Sequence, residues 1–221
     1  ERGMPNVMTF DGLQRTLPAD RLWPQGDAWG QHDFTQQGAQ RGASFNAMLE
    51  RMFGPIDSAQ RFTQLAQWIN YDGYRAMFES GSAHRQGLIL WMSHACWPSM
   101  VWQCYDYYLE PTAAFFGCRK ACQPLHIQYN ALTRNVEVVN NGSAHAAALT
   151  ARRDILDMCG RRLATHTAVV NCPADTTLAL QALALPETVA SGSDGIRFVQ
   201  LTLADSLHTV SDNFYVLPDS T

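Results

Sequence analysis

The sequence predicts an α/β section followed by an all-β section, and three observations carry that reading. Residues 57–123 alternate helical periodicity with one continuous apolar run, GLILWM. After Pro124, short alternating runs separated by turn-formers replace the helical spacing. Composition shifts at the same place: Trp, Met, Phe and Gln are frequent before it. Two domains are expected, 1–123 and 124–221.

Taken in order, a short helix is expected near Phe10 to Leu17. A long loop follows, with Gly, Gln and Asp scattered among Trp23, Trp29, His32 and Phe34. Asp57 or Ser58 can cap the next helix, because a side-chain oxygen there satisfies an orphan amide. Phe62, Leu65, Ile69, Gly73 and Met77 then recur three or four apart, one apolar stripe on a helix. SGSAHRQG ends that helix, and GLILWM reads as a strand buried on both faces. PTAAFFGCRKACQ is a second helix, with Pro111 in its first turn. Helix, buried strand, loop, helix is the unit of a parallel α/β architecture, in which loops after strands carry the chemistry. Past Pro124, LHIQYN, NVEVVNN, AHAAALTARRDI, TTLALQALAL, IRFVQLTLAD and TVSDNFYVL are separated by LTR, NGS, PADT and SGSDG. Six or seven such strands argue for an antiparallel β-sandwich.

Composition narrows the function. At 221 residues and 46% hydrophobic, the chain can bury a real core. A net charge of −4 argues against a sequence-independent nucleic-acid binder. No apolar run approaches the ~18 residues that span a membrane, and no secretory signal is present. Neither nucleic acid nor membrane is therefore expected as a partner. A chain opening on Glu1 with ERGMPNV is expected to be a section of something longer, or a processed product. Cys96, Cys104, Cys118, Cys122, Cys159 and Cys172 match no compact disulfide framework, so buried free thiols are expected. Cys118 and Cys122 share a helix face, but no second pair with ligand spacing follows. No metal and no cofactor are expected. The compartment is open, with a periplasmic or secreted location favoured over a cytoplasmic one.

The stretch ILWMSHACWPSMVWQCYDYY concentrates ring surface where a strand ends. Sugar sites use flat apolar surfaces for C–H faces and polar groups for hydroxyls. Trp91, Trp97 and Trp102 suit the first need, with His94 and Asp106 as polar neighbours. Core packing is the competing explanation for such rings. Asp27, His32 and Asp33 could hold a polar ligand, although ordinary surface polarity explains them as well. Glu79 and His84 read as a solvated helix end, and His126 as a satisfied strand histidine. Met4, Met8, Met48, Met52, Met77, Met92 and Met100 read as core filling. G-x-G-x-x-G, P-loop, H-E-x-x-H and G-x-S-x-G motifs do not occur.

One longer constellation is more specific. Trp91-Met92 is followed by Trp97-Pro98-Ser99, then Tyr105-Asp106 and Tyr108, then Phe116-Gly117 with Arg119 and Lys120, then Pro124 to Gln128. This order and spacing resembles the end of the catalytic barrel of glycoside hydrolase family 2. The likeness is to the branch of β-mannosidases, exo-β-glucosaminidases and mannosylglycoprotein endo-β-mannosidases. SDNFYVLP resembles the last strand of the sandwich that follows that barrel. The resemblance implies the closing part of a TIM (β/α)8 barrel followed by an immunoglobulin-like antiparallel β-sandwich. It further implies that Glu1, Arg2 and Gly3 are the last three positions of a Ser-Glu-x-Gly motif, with Glu1 the nucleophile.

The implied reaction is retaining hydrolysis through a glycosyl-enzyme, with two carboxyl groups roughly 5 Å apart. The nucleophile must be ionised while the acid keeps a raised pKa. The family places the acid/base on an upstream strand, so this chain alone is expected to be inactive. The remainder of the polypeptide, upstream strands and N-terminal domains, is the implied partner, and an oligosaccharide or β-glycoside the substrate. Trp91, His94, Trp97 and Asp106 are the implied substrate contacts. Ser93 and His94 stand where the family has Leu-Asn, which bears on how a sugar hydroxyl is read. β-Mannosides lead as substrates, with β-glucosaminides the nearest alternative. A non-catalytic carbohydrate-binding or assembly module is the alternative of another class.

Overall fold

A computed structural model describes residues 2–34, 42–80, 87–185 and 195–218. The chain divides into two compact units, Glu1–Ala121 and Cys122–Thr221.

The first unit is helical. Helix α1 spans Phe10–Thr16, capped by the Thr9 hydroxyl, which accepts from the Gly12 N–H. The long loop expected next is in fact interrupted by a 3-10 turn at Ala19–Arg21 and by helices α2 (Asp27–Gln31) and α3 (Gly42–Phe53). Tertiary packing explains that difference. Phe62 is a hub whose ring meets Trp29, Phe34 and Phe45 edge-on at centroid distances of 5.6, 5.7 and 6.4 Å. Such rings bury large areas in a preferred geometry, which offsets weak local propensity.

Helix α4 runs Ala59–Glu79, and Ser58 caps it by accepting from the Arg61 N–H. Phe62, Leu65 and Ile69 of the expected stripe are buried. Glu79 is buried as well, against expectation, lying 3.8 Å from Arg75 on the preceding turn. His84 lies outside the described residues. Helix α5 (Ala113–Ala121) packs closely on α4, since a Cβ on Gly117 would fall 2.3 Å from the Tyr71 carbonyl oxygen.

GLILWM does not form the doubly buried strand its composition suggests. Leu90 makes one parallel bridge, to Arg2, and Ile89 is 72% exposed. A parallel strand is buried only with neighbours on both edges and helices on both faces. Among the described residues, this run has the Arg2 segment on one side and a single backbone bond from Met92 N–H to Trp102 O on the other. None of the six cysteines is in a disulfide, and only Cys104 and Cys172 are buried. Met8 and Met100 fill core, whereas Met52 is exposed.

Among its described residues, the second unit is a sandwich of seven antiparallel strands. They are β1 (Leu125–Tyr129), β2 (Asn135–Asn140), β3 (Ala146–Leu156), β4 (Arg162–Cys172), β5 (Thr176–Ala182), β6 (Ile196–Ala204) and β7 (Thr209–Pro218). One sheet has the order β1-β2-β5 and the other β4-β3-β6-β7. Alternation does the sorting: Val199, Leu201 and Leu203 of β6 are fully buried and face the core that holds Ile127, Val136 and Val138. Strand β7 also stitches the sheets together. Its Tyr215 hydroxyl accepts from Tyr129 N–H at 3.0 Å, and Asn213 Nδ2 donates to the Ile127 carbonyl at 3.1 Å. His126 is buried beside Asn213 and Ser211, as a satisfied strand histidine.

Candidate functional site

Arg2 N–H donates to Ile89 O at 3.0 Å, and Trp91 N–H donates to Arg2 O at 3.0 Å. This parallel rung lays the start of the chain along the front of the aromatic stretch. Gly3 permits the approach, because a Cβ there would fall 2.5 Å from Trp91 O and 2.8 Å from Trp102 Cβ. The requirement is for space rather than for unusual backbone angles. Arg2, Gly3, Trp91 and Trp102 line an open hollow of about 330 Å³. Trp91 is 50% exposed, and its peptide bond to Met92 is cis. Two tryptophans and an arginine therefore line one recess. Glu1, which precedes Arg2 in the chain, lies outside the described residues.

The remaining candidates scatter around this hollow. His94 is exposed, with Nδ1 3.0 Å from the Ser93 hydroxyl. Its loop is folded back on itself: Cys104 and Tyr105 N–H groups both donate to Ser93 O, at 3.0 and 2.8 Å. Buried Gln103 staples the turn beneath, donating to Ser99 O at 2.8 Å and accepting from Val101 N–H at 2.9 Å. Trp97 is not among the residues lining the hollow. It stacks on His32 with ring centroids 5.6 Å apart at 23°. The same corner is tied down by Met100 N–H, which donates to His32 O at 2.8 Å, and by a contact between His32 Nδ1 and the Pro98 carbonyl. Asp33 adjoins this corner with φ 69°, and Asp27 sits exposed in the first turn of α2.

Asp106 is fully buried. Its Oδ1 accepts from the Tyr108 and Glu110 N–H groups, both at 2.9 Å, so the carboxylate organises the 106–110 turn. Its Oδ2 lies under α1, where a Cβ on Gly12 would fall 2.6 Å away. The turn in turn grips α1, since the Tyr108 hydroxyl donates to Arg15 O at 3.1 Å. The structure therefore gathers Trp91 with Arg2, Gly3 and Trp102, sets Trp97 with His32, and encloses Asp106.

Sequence reasoning overlooked three residues that bear on this site. Gln67, Asn70 and Tyr74 of α4 all reach the segment that follows Arg2. The available signal was three polar residues at helical spacing beside a buried apolar stripe.

No protein-family model matches the chain. The exo-β-D-glucosaminidase of Streptomyces avermitilis is 34% identical over 96% of this chain and 25% of its own length. The mannosylglycoprotein endo-β-mannosidase of Lilium longiflorum is 30% identical over 49% of this chain and 12% of its own length. Among solved structures, the exo-chitosanase of Amycolatopsis orientalis superposes with a TM-score of 0.82 at 28% identity, covering 97% of this chain and 26% of that one. These likenesses define the class as glycoside hydrolase. The chain belongs to glycoside hydrolase family 2, in the branch that holds exo-β-D-glucosaminidases and β-mannosidases. It spans about a quarter of the length of the glucosaminidase it matches.

Proposed function

We propose that this chain is the section of a retaining exo-β-glycosidase that carries its nucleophile, Glu1, and that the whole enzyme removes terminal β-linked glucosamine. One observation supports it above others: the rung between Arg2 and Leu90, with the close approach at Gly3, puts the residue next to Glu1 on the same hollow as Trp91 and Trp102. In this reading GLILWM is the last strand of a (β/α)8 barrel. The Arg2 segment is the end of its neighbour, and residues 124–221 form an immunoglobulin-like sandwich. Trp91 stacks on the sugar ring and His94 addresses a hydroxyl, while Trp97 contributes from the His32 corner. The acid/base and the far edge of the barrel come from the rest of the polypeptide, so residues 1–221 alone do not turn over substrate.

The reaction then runs in two steps. The Glu1 carboxylate attacks the anomeric carbon as the upstream acid protonates the leaving oxygen. That same group then deprotonates a water, which releases the sugar with its configuration retained.

Glucosaminides are placed ahead of β-mannosides because the similarity to an exo-β-D-glucosaminidase runs over 96% of the chain, against 49% for the endo-β-mannosidase. The A. orientalis enzyme has also been crystallised in complex with PNP-β-D-glucosamine. The mannoside reading retains the support of the motif order around Trp91 to Gln128. The full-length protein should therefore release p-nitrophenol faster from the β-glucosaminide than from the β-mannoside. Reversal of that order would move the assignment to mannosides, and activity on neither would remove it altogether.

A further inference from the structure

The segment that follows Glu1 is held by the Arg2 rung at its start, by the Asn6 amide on Gln103 O and Thr112, and along most of its carbonyls by one face of α4. Gln67, Asn70 and Tyr74 recur at spacings of three and four, so their side chains share one helix face. Each donates to a carbonyl of the extended segment. The Tyr74 hydroxyl reaches Met4 O at 3.3 Å, and Asn70 Nδ2 reaches Pro5 O at 2.7 Å. Gln67 Nε2 spans Val7 O at 2.8 Å and Met8 O at 3.2 Å. Its Oε1 simultaneously accepts from Ala113 N–H at 2.7 Å, which ties the segment to the first turn of α5. The segment also lies directly on the helix, since a Cβ on Gly73 would meet Met4 Sδ at 2.2 Å.

Asn6, Val7 and Met8 are fully buried, so their backbone groups need protein partners. A β-strand would take them from a ladder, but among the described residues this segment pairs through the single rung at Arg2. Its path from residue 4 to residue 8 is set by side chains of α4 instead. Burial, above all, and then the nearby Cys104 thiol push the Tyr74 hydroxyl well above its ordinary pKa. It therefore stays protonated and remains a donor at any working pH.

We infer that Gln67, Asn70 and Tyr74 are positioning residues for the nucleophile: a three-point clamp that sets the register of residues 2–8 and, through it, where the Glu1 carboxylate stands. The inference rests on the proposed role of Glu1. A carboxylate displaced by a fraction of an ångström still binds sugar but attacks poorly, and about 1 Å of misplacement can cost about a hundredfold in rate.

Two conservative variants of the full-length protein test the clamp. Tyr74→Phe removes one hydroxyl and keeps the ring. Gln67→Glu keeps shape and the acceptor for Ala113, but can no longer donate to Val7 and Met8. Each should lower kcat about tenfold, and the pair about a hundredfold, with KM within about twofold of wild type. Asn140→Asp in the sandwich is the control. Its amide donates to Ala144, Cys172 and Pro173 carbonyls, so the change should lower stability while kcat stays unchanged. The clamp is overturned if both folded variants keep kcat within about twofold. It is also overturned if KM alone rises, because that pattern marks lost uniform binding. A Glu1→Gln variant with wild-type kcat would instead sink the nucleophile reading, and this inference with it.

Discussion

Space at residue 3 decides how near the start of the chain comes to the aromatic stretch. Gly3→Ala puts a methyl against the Trp91 carbonyl, which is backbone and cannot swing aside. The variant is expected to lose about 1–3 kcal/mol of stability, the range for overpacking, and to lose glycosidase activity together with the hollow. Denaturant unfolding alongside the glucosaminide assay checks both. Asp154 shows a different use of a buried group. Burial alone would raise its pKa, but hydrogen bonds from Arg152 and Thr165 and the charges of Arg152 and Arg162 hold it below the ordinary value. The distances are 2.8 Å from Arg152 Nε, 2.6 Å from Thr165 and 3.2 Å from Arg162 Nε. A carboxyl depressed in the folded state stabilises the fold above its unfolded pKa of about 3.9, and that stability is lost as pH falls through the folded value. Asp157 and Asp205 are depressed in the same direction by backbone amides of their own turns, which act beside Arg161 and His208. Stability should therefore fall as pH drops below about 4. Asp154→Asn should be weaker at neutral pH and show a shallower acid dependence; an unchanged acid profile would contradict the network.

Elements differed in how far the sequence exposed them. Helix α4 was legible because its stripe repeats over 21 residues and Ser58 caps it. Helices α2 and α3 were not, since Gly and Gln crowd that region and what holds the helices is Trp29 and Phe45 packing, with Phe34 just after α2, on Phe62. Strand β4 was passed over because RLATHTAVVNC lacks large apolar residues at alternate positions. Its burial is confined to Val170 and Cys172, and β3 supplies the ladder that defines it. GLILWM keeps a single parallel rung among the described residues, since composition reports what a run needs and not which neighbours are at hand. Asp106 illustrates the same limit at a single site: its neighbours in sequence suggested a sugar contact, while its backbone partners sit two and four residues ahead. The α4–α5 contact offers an element-scale test. Gly117→Ala would meet the Tyr71 carbonyl and should cost about 1–3 kcal/mol by forcing the helices apart. A shift below about 0.5 kcal/mol in denaturant unfolding would contradict the close packing described.

At the scale of the whole molecule, two units with unlike architectures occur in one chain, and no described helix is long and apolar enough to cross a membrane. The family was legible because the order from Trp91 to Gln128 is long and specific. Substrate choice was not, because nothing in that motif order separates an axial hydroxyl from an equatorial amine. The nucleophile assignment is the hinge of the functional reading, and a covalent adduct reports on it directly. Full-length protein inactivated with a fluorinated glycosyl fluoride of glucosamine or mannose configuration should gain one sugar mass, and peptide mass spectrometry should find that mass on Glu1. An adduct on any other residue, or inactivation unaltered in Glu1→Gln, would contradict it.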